Sequence, residues 1–173
     1  MKIFHPFKYC PKCSAAAMKP SSDKSLLCSE CGFELFFNPA AAVAGLICSE
    51  AGELLVTVRA SEPGKGLWDL PGGFIDANET GEQGLCREIK EELNLDVDAL
   101  EYMASAPNEY FYKNVTYLTL DMAFICRVRD FSGLKALDDV EQVLFLRPDE
   151  IDLTRFAFDS VRSFVEQFME KVR

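Results

Sequence analysis

Three glutamates, Glu88, Glu91 and Glu92, stand close together in a stretch that runs GFIDANETGEQGLCREIKEELNL from Gly73 to Leu95. On a helix each residue turns the wheel by about 100°. That puts Leu85, Ile89 and Leu93 on one arc and the three carboxylates on the arc beside it, with Arg87 and Lys90 outside both. Like charges at i,i+4, as in Glu88 and Glu92, weaken a bare helix. A divalent cation relieves that repulsion, and magnesium, a hard ion, prefers oxygen ligands. The plainer reading of such a face is solvated acid with no chemistry. The residues around it decide between the two.

The carboxylates need a helix with defined ends. Thr80 followed by Gln83 reads as a capping box, with Thr80 as N-cap. Asn94 follows the last turn, and Asn tolerates the left-handed conformation that ends many helices. A Pro71-Gly72-Gly73 turn leads in. The full spacing is Gly73, five residues, Glu79, seven residues, Arg87-Glu88-Ile89, one residue, Glu91-Glu92, then Leu95. This resembles the Nudix box of hydrolases that cleave nucleoside diphosphates linked to another group, with Asn94 where the family has Gly. The resemblance extends over about residues 40–173 and implies a mixed sheet between helices. It implies that Glu88, Glu91 and Glu92 bind magnesium or manganese with the Gly73 carbonyl as a further ligand. It also implies that Arg87 orients the carboxylates, and that the general base is Glu92 or a distal acid: Glu141, Asp139, Asp138 or Glu109. Glu79 has a structural or outer-sphere role in this reading.

Ahead of this domain stand Cys10-Pro-Lys-Cys13 and Cys28-Ser-Glu-Cys31, two C-x-x-C knuckles separated by 14 residues. Cys10, Cys13, Cys28 and Cys31 read as a four-thiolate zinc ribbon, closed and therefore structural. A segment this short cannot bury a sufficient core, so metal must supply much of its folding energy. We divide the chain into a zinc ribbon, 1–37, and a hydrolase domain, 38–173. The single histidine, His5, is read as a surface residue. Any base in the main domain is thus a carboxylate or a metal-activated water.

The net charge of −10 is unevenly placed, +2 over residues 1–40 and −12 over 41–173. An acidic main domain argues against a nucleic-acid binder. It suits a site that first takes up cations and then a phosphate-rich small molecule. No apolar run approaches the ~18 residues of a membrane span, and the N-terminus lacks a signal-peptide h-region. The expectation is a cytoplasmic protein with a nucleoside diphosphate ligand, no membrane partner, and a second copy of itself as a candidate partner.

In order, Ala40–Cys48 and Leu54–Arg59 read as two strands of a hairpin. The loop after Arg59 holds Gly64-Lys65-Gly66, without the spacing of a P-loop. Arg59 and Lys65 are candidate substrate contacts, and Trp68 reads as core. Residues 97–106 and 115–128 read as extended, 108–114 as an aromatic loop whose Tyr110, Phe111 and Tyr112 are candidate base-stacking residues, 138–141 as an acidic loop, and 143–146 as a strand. Val161, Phe164, Val165, Phe168 and Val172 make the apolar stripe of a final helix. The pattern alone gives an α+β or layered α/β/α fold. A ribbon before the box resembles the NADH pyrophosphatase branch. That branch's downstream Ser-Gln-Pro-Trp-Pro-Phe-Pro is met here by Ser105-Ala-Pro107-Asn-Glu-Tyr-Phe, which agrees at Ser105, Pro107 and an aromatic. ADP-ribose, nucleotide sugars and dinucleotides all stay open as substrates. So does a non-catalytic Nudix fold that senses a ligand and uses the ribbon to hold a partner.

Overall fold

The computed structural model describes residues 7–171. His5 and Val172 lie outside the described residues. Two compact units emerge: residues up to Ala40 together with Glu109–Leu118, and Ala41–Asn108 together with Thr119 onward.

The first unit is built on a small antiparallel sheet, β1 (Met18–Ser22), β2 (Ser25–Cys28) and β3 (Glu34–Phe36), in that order. Each knuckle is a tight turn: Ser14 N–H donates to Cys10 O and Gly32 N–H to Cys28 O. Ser14 and Gly32, four residues after the first cysteine of each pair, both have positive φ, at 62° and 70°. The turns gather the four sulfurs within 4.8 Å of one another, with Cys10–Cys31 and Cys13–Cys28 each at 3.7 Å. Tetrahedral zinc–thiolate bonds of ~2.3 Å set ligand sulfurs about 3.8 Å apart. All four thiols are free, so this is a zinc-ribbon cluster and not a pair of disulfides.

The second unit is layered. Its strands form two sheets. One has the order β10 (Val140–Leu146), β5 (Leu54–Arg59), β6 (Trp68–Asp69). The other has the order β7 (Gly72–Phe74), β4 (Ala40–Ile47), β9 (Val115–Arg127), β8 (Ala99–Tyr112). Helix α1 (Gly81–Leu93) packs Leu85, Ile89 and Leu93 against Val43, Ile47, Leu55 and Phe124. Helix α2 (Asp159–Lys171) packs Val161, Phe164, Val165 and Phe168 against Ala44, Leu46, Val56, Trp68 and Ala123. Successive strand residues point to opposite faces, so β4 feeds both cores: Val43 and Ile47 go to the α1 side, Ala44 and Leu46 to the α2 side. The result is the expected α/β/α sandwich.

Three local expectations change. The strands β4 and β5 do not continue as a hairpin. They share only the Cys48–Leu54 bridge before diverging into different sheets. Both are apolar on both faces and sit inside a sheet with a neighbour on each side, which two-stranded pairing would not provide. The 108–114 segment is not a loop. It completes β8 and turns on Lys113-Asn114, both at positive φ (47° and 63°), the backbone of a two-residue I′ turn. Likewise Glu141 lies within β10, which starts at Val140, and not in the acidic loop. Pro107 falls in β8, the edge strand of its sheet, the kind of strand to which proline is largely confined.

Candidate active site

Helix α1 begins and ends as its sequence requires. Gln83 N–H donates to Thr80 Oγ1 at 3.3 Å, and Thr80 N–H donates to Gln83 Oε1 at 2.9 Å, closing the capping box. At the other end Asn94 adopts φ 54° and donates its N–H to Lys90 O. Its side chain does what glycine could not: Nδ2 donates to Gly133 O at 3.0 Å. Lys135 N–H and Leu137 N–H donate to Leu93 O and Glu92 O. The loop before β10 therefore hangs from the C-terminal carbonyls of α1, which fixes Asp138 relative to the box.

Arg87 is the organiser of the acidic face. A guanidinium has five N–H donors, and each finds an acceptor. Nε reaches Glu79 Oε1 at 2.8 Å, and Nη2 reaches Glu79 Oε2 at 3.0 Å and Phe74 O at 3.1 Å. Nη1 serves Glu88 Oε1 at 2.9 Å and Glu91 Oε2 at 3.0 Å. Glu79 Oε2 also accepts from Asp76 N–H, and its carboxyl is held below the ordinary range, chiefly by the Arg87 hydrogen bonds. With no donor left over, Arg87 is committed to positioning acids.

Glu92 faces inward, 9% exposed, with Oε2 accepting the Gly72 N–H at 3.0 Å. Burial pushes its carboxyl up to about 8, with Asp69 and Glu88 adding to the effect and Gly72 N–H and Arg59 opposing it. Glu88 is raised too, again mainly by burial, and Asp138 is among the charges that act on it. Buried acids that resist ionisation beside one another are a donor set that suits a divalent cation, because the cation offsets their mutual repulsion and accepts their oxygens as ligands. Among the described residues only the four cysteines bring three or more ligand atoms within 4.8 Å of one another. Glu88 and Glu91 are turned to Arg87, and Glu92 to Gly72.

The two glycines at the turn are needed for space. A Cβ on Gly72, whose φ is +147°, would lie 2.1 Å from Val43 O, and one on Gly73 would lie 2.7 Å from the Glu88 carboxylate.

The other sequence candidates fall out unevenly. Arg59 donates to Asp69 Oδ2 and Pro63 O, both at 2.7 Å, and lies over the Phe158 ring at 4.9 Å. Asp69 carries no sequence motif. It is buried, and Arg59 opposes the burial that raises its pKa. Lys65 is exposed on the Gly64–Gly66 loop. Trp68 is core, packed edge-on to Phe156 at 5.7 Å between centroids. Tyr110, Phe111 and Tyr112 belong to the first unit, where Tyr112 lies 6.3 Å from Tyr110 and under Lys113. The box belongs to the second. Asp139 Oδ1 accepts from Ser61 Oγ at 2.8 Å, and Glu141 is exposed.

Residues 38–168 match the NUDIX domain. The chain belongs to the Nudix family. It is 36% identical over 129 residues to an ADP-ribose pyrophosphatase of Methanocaldococcus jannaschii, covering 73% of this chain and 72% of that one. It is 25% identical over 103 residues to the NAD-capped RNA hydrolase NudC of Haemophilus influenzae, of which it spans 38%. The crystal structure of a NUDIX hydrolase from Nitrosomonas europaea has the same fold, with a TM-score of 0.70 over 95% of this chain and 92% of that one at 24% identity. The chain is a Nudix-type pyrophosphohydrolase with an N-terminal zinc ribbon, and Nudix hydrolases generally need divalent metals. Among the described residues no helix is long and apolar enough to cross a membrane.

The Gly73 contact gives a direct test of the box geometry. In Gly73→Ala the clash falls on the far end of a rotatable side chain, so the fold should survive with a melting temperature within a few degrees. Glu88 must move by about an ångström, and misplacement of that size can cost on the order of 10² in rate. An unchanged kcat would show that the position of Glu88 is not critical.

Proposed function

We propose that this protein hydrolyses the pyrophosphate linkage of a nucleoside diphosphate derivative of the ADP-ribose class. The carrying observation is the Arg87 network, which holds Glu79, Glu88 and Glu91 around one guanidinium beside the buried Glu92. The similarity to an ADP-ribose pyrophosphatase over most of both chains supports the substrate class.

In this reading Glu88, Glu91, Glu92 and the Gly73 carbonyl hold magnesium or manganese. The ion neutralises the phosphate oxygens and lowers the pKa of the attacking water. Arg87 keeps the carboxylates aligned through turnover. Lys65 contacts a substrate phosphate from its exposed loop. Arg59 holds Asp69 in place beneath the site. The four cysteines bind structural zinc.

For the loop acid that takes the proton from water, Asp138 is the better choice over Glu141. Asp138 is held at φ 47° by a loop tied to α1, and its charge acts on Glu88. Asp139 is engaged by Ser61, and Glu141 lies exposed on β10. Asp138→Asn should lower kcat about 10²-fold, at the low end for loss of a general base, with magnesium dependence close to wild type. Glu141→Gln should stay within about threefold. The opposite ranking would return the role to Glu141.

The function itself is tested by phosphate release over a panel of nucleoside diphosphate derivatives, with and without magnesium or manganese. Turnover should require the cation, with ADP-ribose among the better substrates. Nucleotides bound but uncleaved throughout the panel would identify a ligand-sensing module instead.

A further inference from the structure

The second unit holds an open cavity of about 610 Å³ where β4 and β9 end, β5 and β8 begin, and the last turn of α2 passes the end of β10. Leu54, Ile125, Leu146, Ile151, Phe168 and Met169 give it an apolar wall. All six belong to the α2-side core, yet Ile125, Leu146, Ile151 and Met169 are only half-buried, with the cavity in front of them. Cys48 lines it too, and burial holds its thiol above the ordinary range, so this part of the wall is also uncharged.

The cavity is separate from the box. Ala44 of β4 pairs with Gly72, whose N–H meets Glu92. Leu46 and Cys48, which line the cavity, come two and four residues later. At about 3.3 Å per strand residue they lie roughly 7 and 13 Å beyond Ala44. Leu46 also packs on the α2 side of the sheet, whereas the box helix covers the other side.

Two charged residues line the cavity, Glu101 of β8 and Arg127 of the adjacent strand β9, and both are exposed. Asp98, the acid on which Arg127 acts, is bound instead by Arg129 Nε at 2.8 Å. Among the described residues neither Glu101 nor Arg127 forms an ion pair, with each other or with any other group. Their charged atoms thus stand more than 4.0 Å apart in one cavity. Small-molecule pockets are typically ~300–1,000 Å³, mostly apolar, with a few polar groups that fix the ligand's orientation. Here those groups are one anion and one cation. A ligand that complements both brings a carboxylate to the planar guanidinium fork, an ammonium to Glu101, and an apolar body to the wall. A nucleoside diphosphate does not meet this pattern, because Glu101 repels its phosphates.

We propose that this cavity is a second ligand site that takes a free α-amino acid with an apolar side chain, its carboxylate on Arg127, its ammonium on Glu101 and its side chain against Ile125, Leu146, Phe168 and Met169. The site does not depend on the hydrolase reading, since no residue of the box contributes to it.

The test uses the whole chain loaded with zinc and titrates three probes by calorimetry: phenylalanine, 3-phenylpropionate, which lacks the ammonium, and phenethylamine, which lacks the carboxylate. Phenylalanine should bind once per chain and about tenfold or more tighter than either of the others, the loss expected for a hydrogen bond to a charged group. Arg127→Gln and Glu101→Gln change exposed side chains, and thermal melts verify folding. Arg127→Gln should weaken phenylalanine about tenfold and leave phenethylamine unchanged. Glu101→Gln should weaken phenylalanine and leave 3-phenylpropionate as tight as before or tighter. NMR shifts should fall on the methyls of Ile125 and Met169 and spare the amides of α1. The proposal falls if folded wild type binds none of the three at millimolar concentration, or if one of the truncated probes binds as tightly as phenylalanine. It falls equally if both variants bind phenylalanine as wild type does, or if the shifts centre on α1.

Discussion

Glu92→Gln should lower kcat by on the order of 10²–10⁴ while the protein folds normally. Gln keeps the shape of Glu and an oxygen to accept the Gly72 N–H, so the buried side chain loses only its charge. That charge is the property a cation needs. The pH dependence of stability separates this from structural damage. Burial raises the folded-state pKa of Glu92 to about 8, above the ordinary carboxylate range. Folded protein therefore retains a proton that unfolded chain has already released, and stability falls as pH rises between those two values. Gln does not titrate. Without added magnesium, the variant should gain on wild type between about pH 5 and pH 8. Saturating magnesium should narrow or reverse the difference at pH 8, because the cation binds the charged form. Melts at the two pH values, with and without magnesium, read this directly. A variant with full kcat and no change in the magnesium effect would remove Glu92 from the metal site.

Much of this site is legible in the sequence because it is local. The wheel that separates Leu85, Ile89 and Leu93 from Glu88, Glu91 and Glu92 is the division the helix makes between core and site, although Glu92 also turns inward. The capping box and the left-handed Asn94 likewise depend on residues a few positions apart. Arg87 lay outside both arcs, yet it bonds to both neighbouring glutamates and to Glu79. Its long side chain sweeps over the adjacent arc, which an angle at Cα does not describe.

What was not legible depends on distance along the chain. That β4 and β5 enter different sheets is decided by β7, β9, β6 and β10, each of which pairs with one of them. The turn at Lys113-Asn114 has no glycine to mark it, so the strand formers before it, Tyr110-Phe111-Tyr112, read as a loop. The bond from Asn94 to Gly133, 39 residues on, ties the loop that carries Asp138 to the end of α1. Asp69 carries no motif at all. It lies among apolar residues, Leu67-Trp68-Asp69-Leu70, where a sequence pattern gives a strand and no reason for its acid.

Removing the zinc ligands should abolish the order of the ribbon and leave the sandwich standing. The three strands β1, β2 and β3 have five, four and three residues, and among the described residues up to Ala40 the only buried apolar side chains are Cys10, Leu26 and Cys28. One leucine and two thiols are no core, so the backbone order there needs another source. Structural zinc contributes roughly 10–16 kcal/mol in comparable small folds, far more than that segment's own burial. The second unit has two cores of its own, each on one face of its sheets. Cys31→Ser breaks the tetrahedron at an exposed position without opening a cavity. The variant should lose the approximately one zinc per chain that wild type holds. Hydrogen exchange should show amides such as Cys28 and Phe37 losing protection, while those of α1 keep theirs. Ribbon amides protected as in wild type in zinc-free protein would refute this, since the segment would then be folded by packing alone.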